Sequence, residues 1–304
     1  MTNRLLVICG QTGTGKTSLA IYLAKKFNGE LISADSRQVY KGLNIGTGKD
    51  LKEIAKSKTK IWGYDLVDPK KNFSVGNYIR FAQKAIGDIQ KRGRLPILVG
   101  GTGLFIKGVI DGIPTAFVPR NLKLRKNLEE KDVGELFEIL AQLDPIKAGS
   151  MNRSDKLNPR RLIRGIEVAT WGLERKTPRL FKKPKYELLE IGLQASLDNL
   201  SKKIDKRVDK RINDGVEREI KKLMSSGISW DSQSMTSLGY RQWRDYFEGV
   251  VTKDGVISNW KREELRYAKR QLTWFKKDSR INWFDSLDEN LCKNVEGLVK
   301  KWYP

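Results

Sequence analysis

The densest chemical signal in the chain is GQTGTGKT, which runs from Gly10 through Gln11, Thr12, Gly13, Thr14, Gly15 and Lys16 to Thr17. It fits the spacing GxxxxGK[ST] of a phosphate-binding loop. Glycines there let backbone N–H groups turn inward around phosphate oxygens, and a following helix adds the positive potential of its N-terminus. Lys16 supplies a point charge, and the Thr17 hydroxyl is a hard oxygen of the kind Mg²⁺ accepts. Such a loop holds phosphate or pyrophosphate; it does not by itself specify a nucleotide.

Two further turns follow apolar segments. Asp35, in Ala34-Asp35-Ser36-Arg37-Gln38, reads either as a base or metal ligand near the loop or as a turn cap. In Gly100-Gly101-Thr102-Gly103, Thr102 reads as a substrate contact or as a helix cap, with the glycines permitting close backbone approach. The chain contains no histidine, which removes His-based nucleophile activation, His general bases and His metal sites. A general base must then be Asp, Glu, Lys or Tyr. Cys9 and Cys292 lie far apart and form no CxxC, so a zinc site is excluded, and Cys9 is expected to be buried. Arg207 sits in a charged segment and on its own reads as a solvated charge. Tyr267, Arg270 and Trp274 share a helical face, more readily core with a snorkelling charge than a binding platform.

The elements that must position these residues are legible as short apolar runs alternating with helical periods. Leu5–Cys9, Leu31–Ala34, Ile61–Val67 and Leu95–Val99 read as strands; Ser18–Phe27, Val75–Lys91 and Thr102–Ile110 read as helices. That alternation predicts a doubly wound parallel α/β sheet, with the loop and both turns at its carboxyl edge. From Gly112 the pattern changes. Leu122–Glu130, Val133–Leu143 and Pro159–Trp171 read as helices with no convincing strand between them, and the segment ends in the Pro-interrupted basic stretch from Thr177 to Lys185. The sheet pattern resumes at Leu188–Leu193, followed by one long helix over Leu197–Met224, an amphipathic helix over Leu265–Phe275 and a last strand at Ile281–Phe284. The expected organisation is therefore catalytic residues 1–111 and 188–304, interrupted by a helical insertion over 112–187.

Composition narrows the partners. The 304 residues carry 59 Lys+Arg against 36 Asp+Glu, a net charge of +23, which favours an anionic partner, nucleic acid first. Residues 153–185 concentrate eleven Lys/Arg against three acids, a net +8. No run of about 18 apolar residues exists, so no membrane span is expected. Met1–Arg4 leads straight into a strand-like segment without a cleavage site, so a cytoplasmic protein is expected.

With these residues assembled, the chain resembles the tRNA dimethylallyltransferase (tRNA isopentenyltransferase) family. The matching blocks are GQTGTGKT at Gly10, ISADSRQVYKGLNIGTGK at Ile32, LPILVGGTGLFIKGVIDG at Leu95, NPRRLIRGIEV at Asn158, RVDKRINDG at Arg207, SLGYRQ at Ser237 and YAKRQLTWFK at Tyr267. They run in the family's order over nearly the whole chain. The resemblance implies a P-loop α/β domain whose helical insertion grips the anticodon arm. It implies transfer of a dimethylallyl group from dimethylallyl pyrophosphate to N6 of the adenine beside the anticodon (position 37 of tRNA), releasing pyrophosphate.

By the same resemblance, Asp35 is the base. Lys16, Thr17 with Mg²⁺, and Arg207 act on the leaving pyrophosphate. Asp35, Ser36, Arg37, Gln38, Thr102, Arg160, Arg161, Leu162, Ile163 and Arg164 contact tRNA. Mg²⁺ is the expected cofactor, tRNA and dimethylallyl pyrophosphate the expected partners, and a monomer the expected state. Two departures stand out: Gln11 where the family usually has Pro, and no His in the block Trp62–Leu66. The rival readings are an ATP-dependent kinase, which leaves the basic insertion unexplained, and a non-catalytic RNA-binding module, which leaves the P-loop with Asp35 unexplained.

Overall fold

In the computed structural model, which describes residues 3–174 and 185–304, six strands form one parallel sheet. They are β1 (Arg4–Gly10), β2 (Gly29–Ser33), β3 (Ile61–Trp62), β4 (Leu95–Val99), β5 (Glu187–Gln194) and β6 (Ile281–Asp285), in the order β3-β2-β4-β1-β5-β6. The apolar runs form strands because both faces of the sheet are covered. Along β1, Leu5, Val7 and Cys9 face one core and Leu6 and Ile8 the other, the period of two that a strand imposes. Helices Val75–Lys91, Leu197–Asn213 and Lys253–Phe275 contribute to the first core, and helices Lys16–Lys26 and Leu291–Trp302 to the second.

Register places the chemistry. Ile8 and Ser33 both pair with Val99, so β2, β4 and β1 end side by side. Their exits are stitched together: Ala34 N–H donates to the Val99 carbonyl (2.7 Å), Gly100 N–H to that of Ile8 (3.0 Å) and Thr102 N–H to that of Ala34 (3.1 Å). Asp35, the Gly100–Thr102 turn and the glycine-rich loop therefore share the carboxyl edge of three adjacent strands.

Three expectations change. The strand read over Ile61–Val67 stops at Trp62, because Gly63 (φ 101°) and Asp65 (φ 54°) leave the extended region; Val67 keeps one bridge to Tyr40. The long helix over Leu197–Met224 is two, Leu197–Asn213 and Val216–Ser225, broken at Gly215, which adopts a left-handed φ of 92°. The helix expected from Leu265 begins twelve residues earlier at Lys253, where Thr252 Oγ1 accepts from Gly255 N–H.

The chain divides into two compact units, Met1–Gly112 with Pro184–Pro304, and Ile113–Lys183. Among the described residues the second unit holds only helices. Leu122–Glu129, Val133–Leu143 and Pro159–Glu174 are its longest, around a core of Leu128, Leu136, Leu140, Leu162, Ile163 and Ile166. The basic stretch from Thr177 to Pro184 lies outside the described residues. No helix among the described residues is long and apolar enough to cross a membrane.

Candidate active site

The loop after β1 takes its shape from three glycines at positive φ: Gly10 (125°), Gly13 (82°) and Gly15 (80°). Gly10 has a second reason to lack a side chain, since a Cβ there would strike the Leu193 carbonyl of the neighbouring strand. Gly15 then starts the helix Lys16–Lys26 without a side-chain cap, leaving the first-turn N–H groups for an anion. Gln11, in the place of the family's usual proline, is fully buried and ties the loop to β5: its Oε1 accepts from Ala195 N–H at 3.1 Å. Its carbonyl takes the Thr14 hydroxyl (2.7 Å) and Lys16 Nζ (2.6 Å).

Cations and carboxylates converge here. Burial, then the charge of Arg207, lowers Lys16 to about 8, with Asp35 and Asp50 acting the other way. Arg207 Nη2 donates to Thr12 Oγ1 at 2.7 Å and pairs with Glu264, which Arg211 reaches at 3.3 Å. Arg207 is thus drawn to the loop from a helix distant in sequence, and the solvated reading of this residue does not hold. Thr17 is the second residue of the helix, half-buried beside Lys16.

Asp35 does cap its own turn: Oδ1 accepts from Arg37 N–H (2.8 Å) and Gln38 N–H (3.4 Å). One carboxylate can do both jobs, and its charge acts on Lys16, Lys49 and the hydroxyls of Tyr64, Tyr78 and Tyr267. Burial first, then Asp35, pushes Tyr267 up to about 12. Thr102 does not cap its helix; its Oγ1 accepts from Ser36 N–H at 3.1 Å, which binds the Asp35 turn to the β4 turn. Arg37 and Gln38 also serve the frame. Arg37 Nη1 donates to the Gln233 carbonyl (2.7 Å), and Gln38 accepts from Ser33 Oγ (2.8 Å) and donates to the Gly48 carbonyl (3.1 Å).

The helix Lys253–Phe275 closes the site from the other side, and Gln271 is the residue that composition and spacing did not single out. Buried, it accepts from Thr12 N–H at 2.7 Å and donates to the Gly101 carbonyl at 2.9 Å, clamping both glycine turns. Tyr267 OH reaches the same carbonyl at 3.4 Å. Trp274 lies against Gly103, where a Cβ would meet its indole, and stays 42 % exposed. The face of Tyr267, Arg270 and Trp274 is therefore turned to the glycine turn after β4, with Arg270 exposed, rather than packed into the core. The signal was available: Gln271 follows Tyr267 by four and Glu264 by seven, one face of the helix.

In the second unit the five expected tRNA contacts separate. Leu162 (0 % exposed) and Ile163 (5 %) belong to its core, because the helix Pro159–Glu174 turns its apolar face inward, so their side chains cannot present a contact surface. Arg164 holds the fold, pairing with Glu167 (3.0 Å) and donating to the Thr115 (2.8 Å) and Val118 (2.9 Å) carbonyls. Arg160 and Arg161 are exposed, the latter paired with Asp155.

The comparisons with known proteins bear on the chain as a whole. A family model described as IPP transferase matches residues 38–278. A tRNA dimethylallyltransferase of Carboxydothermus hydrogenoformans is 39 % identical, over 98 % of this chain and 97 % of that protein. One of Anoxybacillus flavithermus is 38 % identical over 96 % and 93 %. Among solved structures, the tRNA isopentenylpyrophosphate transferase of Bacillus halodurans is 36 % identical and superimposes with a TM-score of 0.74, over 99 % of this chain and 97 % of that one. A eukaryotic dimethylallyltransferase, at 24 % identity, shares the fold with a TM-score of 0.81. The chain belongs to the IPP transferase family.

Proposed function

We propose that this enzyme transfers a dimethylallyl group from dimethylallyl pyrophosphate to N6 of the adenine beside the anticodon of tRNA, releasing pyrophosphate. The observation that carries the reading is the meeting, at the ends of the two strands that flank β4, of a cation-lined glycine loop and a carboxylate in a chain without histidine. The loop N–H groups, Lys16 and Arg207 hold the pyrophosphate and offset the charge that grows on it as the C–O bond breaks. The adenine leaves its stack to reach the site. As N6 forms its bond to the allylic carbon, Asp35 takes the proton that the amine must lose. The Asp35–Gln38 turn and Thr102 line the approach of the base, and Arg160 and Arg161 meet phosphates of the anticodon arm.

Mg²⁺ fits the residues present. The Thr17 hydroxyl is a hard oxygen beside the phosphate loop, and no cluster of three or more His, Cys, Asp or Glu among the described residues offers a protein cage. Thr17 would hold the ion there. When bound it would neutralise charge on the leaving group.

The test mixes the protein with Mg²⁺, tRNA and dimethylallyl pyrophosphate labelled in the prenyl carbon. Label in the RNA is expected; none in RNA, with phosphoryl transfer from ATP instead, would make the chain a kinase.

A further inference from the structure

Glu264 has no part in the transfer as derived above, yet it lies 4 % exposed between two guanidinium groups. Its Oε1 accepts from both Arg207 and Arg211, while its Oε2 is buried without a hydrogen-bond partner. Arg207 Nε is likewise buried and unpartnered, and Arg207 Nη2 is shared between Glu264 and Thr12 of the loop. Arg–carboxylate pairs frequently meet fork to fork, which satisfies both oxygens. Here the guanidinium is held by one nitrogen, turned between the carboxylate and the phosphate loop, with a donor to spare.

We infer that Glu264 is a positioning residue of the pyrophosphate site, an internal counter-ion that holds Arg207 beside Thr12 and competes with pyrophosphate for it. The inference rests on the function proposed above. The charge of Arg207 acts on both Lys16 and Arg211, and Glu264 is the carboxylate that both arginines meet. Binding donor and product ever more tightly would not speed transfer and would slow release. A carboxylate that takes Arg207 back as pyrophosphate leaves weakens ground-state hold without removing the cation from the transition state.

The experiment uses the full chain and inorganic pyrophosphate with Mg²⁺ as probe. In Glu264→Gln, the dissociation constant measured by calorimetry should fall at least fivefold, and the rise in thermal midpoint on adding pyrophosphate should exceed that of the unaltered protein. Steady-state kcat should fall as release slows. Glu264→Asp, which keeps the charge, should move the affinity back. Unchanged or weaker pyrophosphate binding in Glu264→Gln would overturn the inference and leave Glu264 as structural glue. If the unaltered protein binds no pyrophosphate, the proposed function fails instead. If Glu264→Gln does not fold alone, refolding with pyrophosphate should restore it, since the anion replaces the lost charge; failure to do so also overturns the inference.

Discussion

At the scale of single residues, the proposed function sets Asp35 and Lys16 at opposite ends of the reaction. Asp35→Asn keeps shape and can still cap the turn through its side-chain oxygen, but it cannot take the adenine proton. Single-turnover transfer should fall by roughly 10²–10⁴-fold, with tRNA affinity changed far less. A variant within a few-fold of the unaltered rate would reduce Asp35 to the cap that its bonds to Arg37 and Gln38 already describe. Lys16 gives a pH dependence with a definite sign. Its folded pKa lies below the ordinary 10.5, at about 8, so the ammonium loses its proton first in the folded, donor-free protein. Donor binding should weaken as pH rises through about 8 and draw a proton from solution above it. Calorimetry in buffers of different ionisation enthalpy measures that uptake, which should vanish in Lys16→Ala. These residues were legible because their types sit at fixed offsets from a strand end. The spare capacity of Arg207 was not, since a charged residue in a charged helix looks solvated until the fold brings Thr12 to it.

At the scale of elements, the helix Lys253–Phe275 joins the two glycine turns. Gln271→Ala would leave the Thr12 N–H without its side-chain partner and the Gly101 carbonyl with only the Tyr267 hydroxyl at 3.4 Å. An unsatisfied buried group costs about 1–3 kcal/mol, so a destabilisation of about 1–3 kcal/mol is expected, with a raised KM for the donor. Denaturant unfolding and steady-state kinetics check the two parts; a stable variant with unaltered KM would deny the clamp. This helix also shows where sequence reading stops. Apolar periodicity located its second half from Leu265, but Lys253–Glu264 carries mostly polar residues and betrays itself only by the Thr252 cap. Gly215 had the converse effect: it stands inside a periodic run, and only its left-handed φ reveals the break. Strands buried on both faces were read to within a residue or two, whereas β3, two residues long, was overdrawn across Gly63 and Asp65.

At the scale of the whole molecule, a charge of +23 must be resolved into residues that meet phosphates and residues that hold the protein together. Arg164 belongs to the second class, and replacing it would loosen the unit it braces. Arg160 and Arg161 are exposed, and the proposed function assigns them to the first. Replacing both with Gln should weaken tRNA binding and lower the slope of log affinity against log salt by about 0.7–0.9 for each phosphate that is no longer neutralised, leaving donor binding intact. An unchanged slope would turn these arginines away from the RNA. The sequence showed the basic insertion as a block, but not which of its side chains the helix Pro159–Glu174 buries, because that depends on rotation about the helix axis. The most direct test of the proposed reaction is the product itself: tRNA taken through the reaction, digested to nucleosides and analysed by mass spectrometry, with released pyrophosphate counted in parallel. One N6-dimethylallyl adenosine next to the anticodon for each pyrophosphate released is the predicted result. Pyrophosphate released without prenylated adenosine, or prenyl groups on another base, would contradict it.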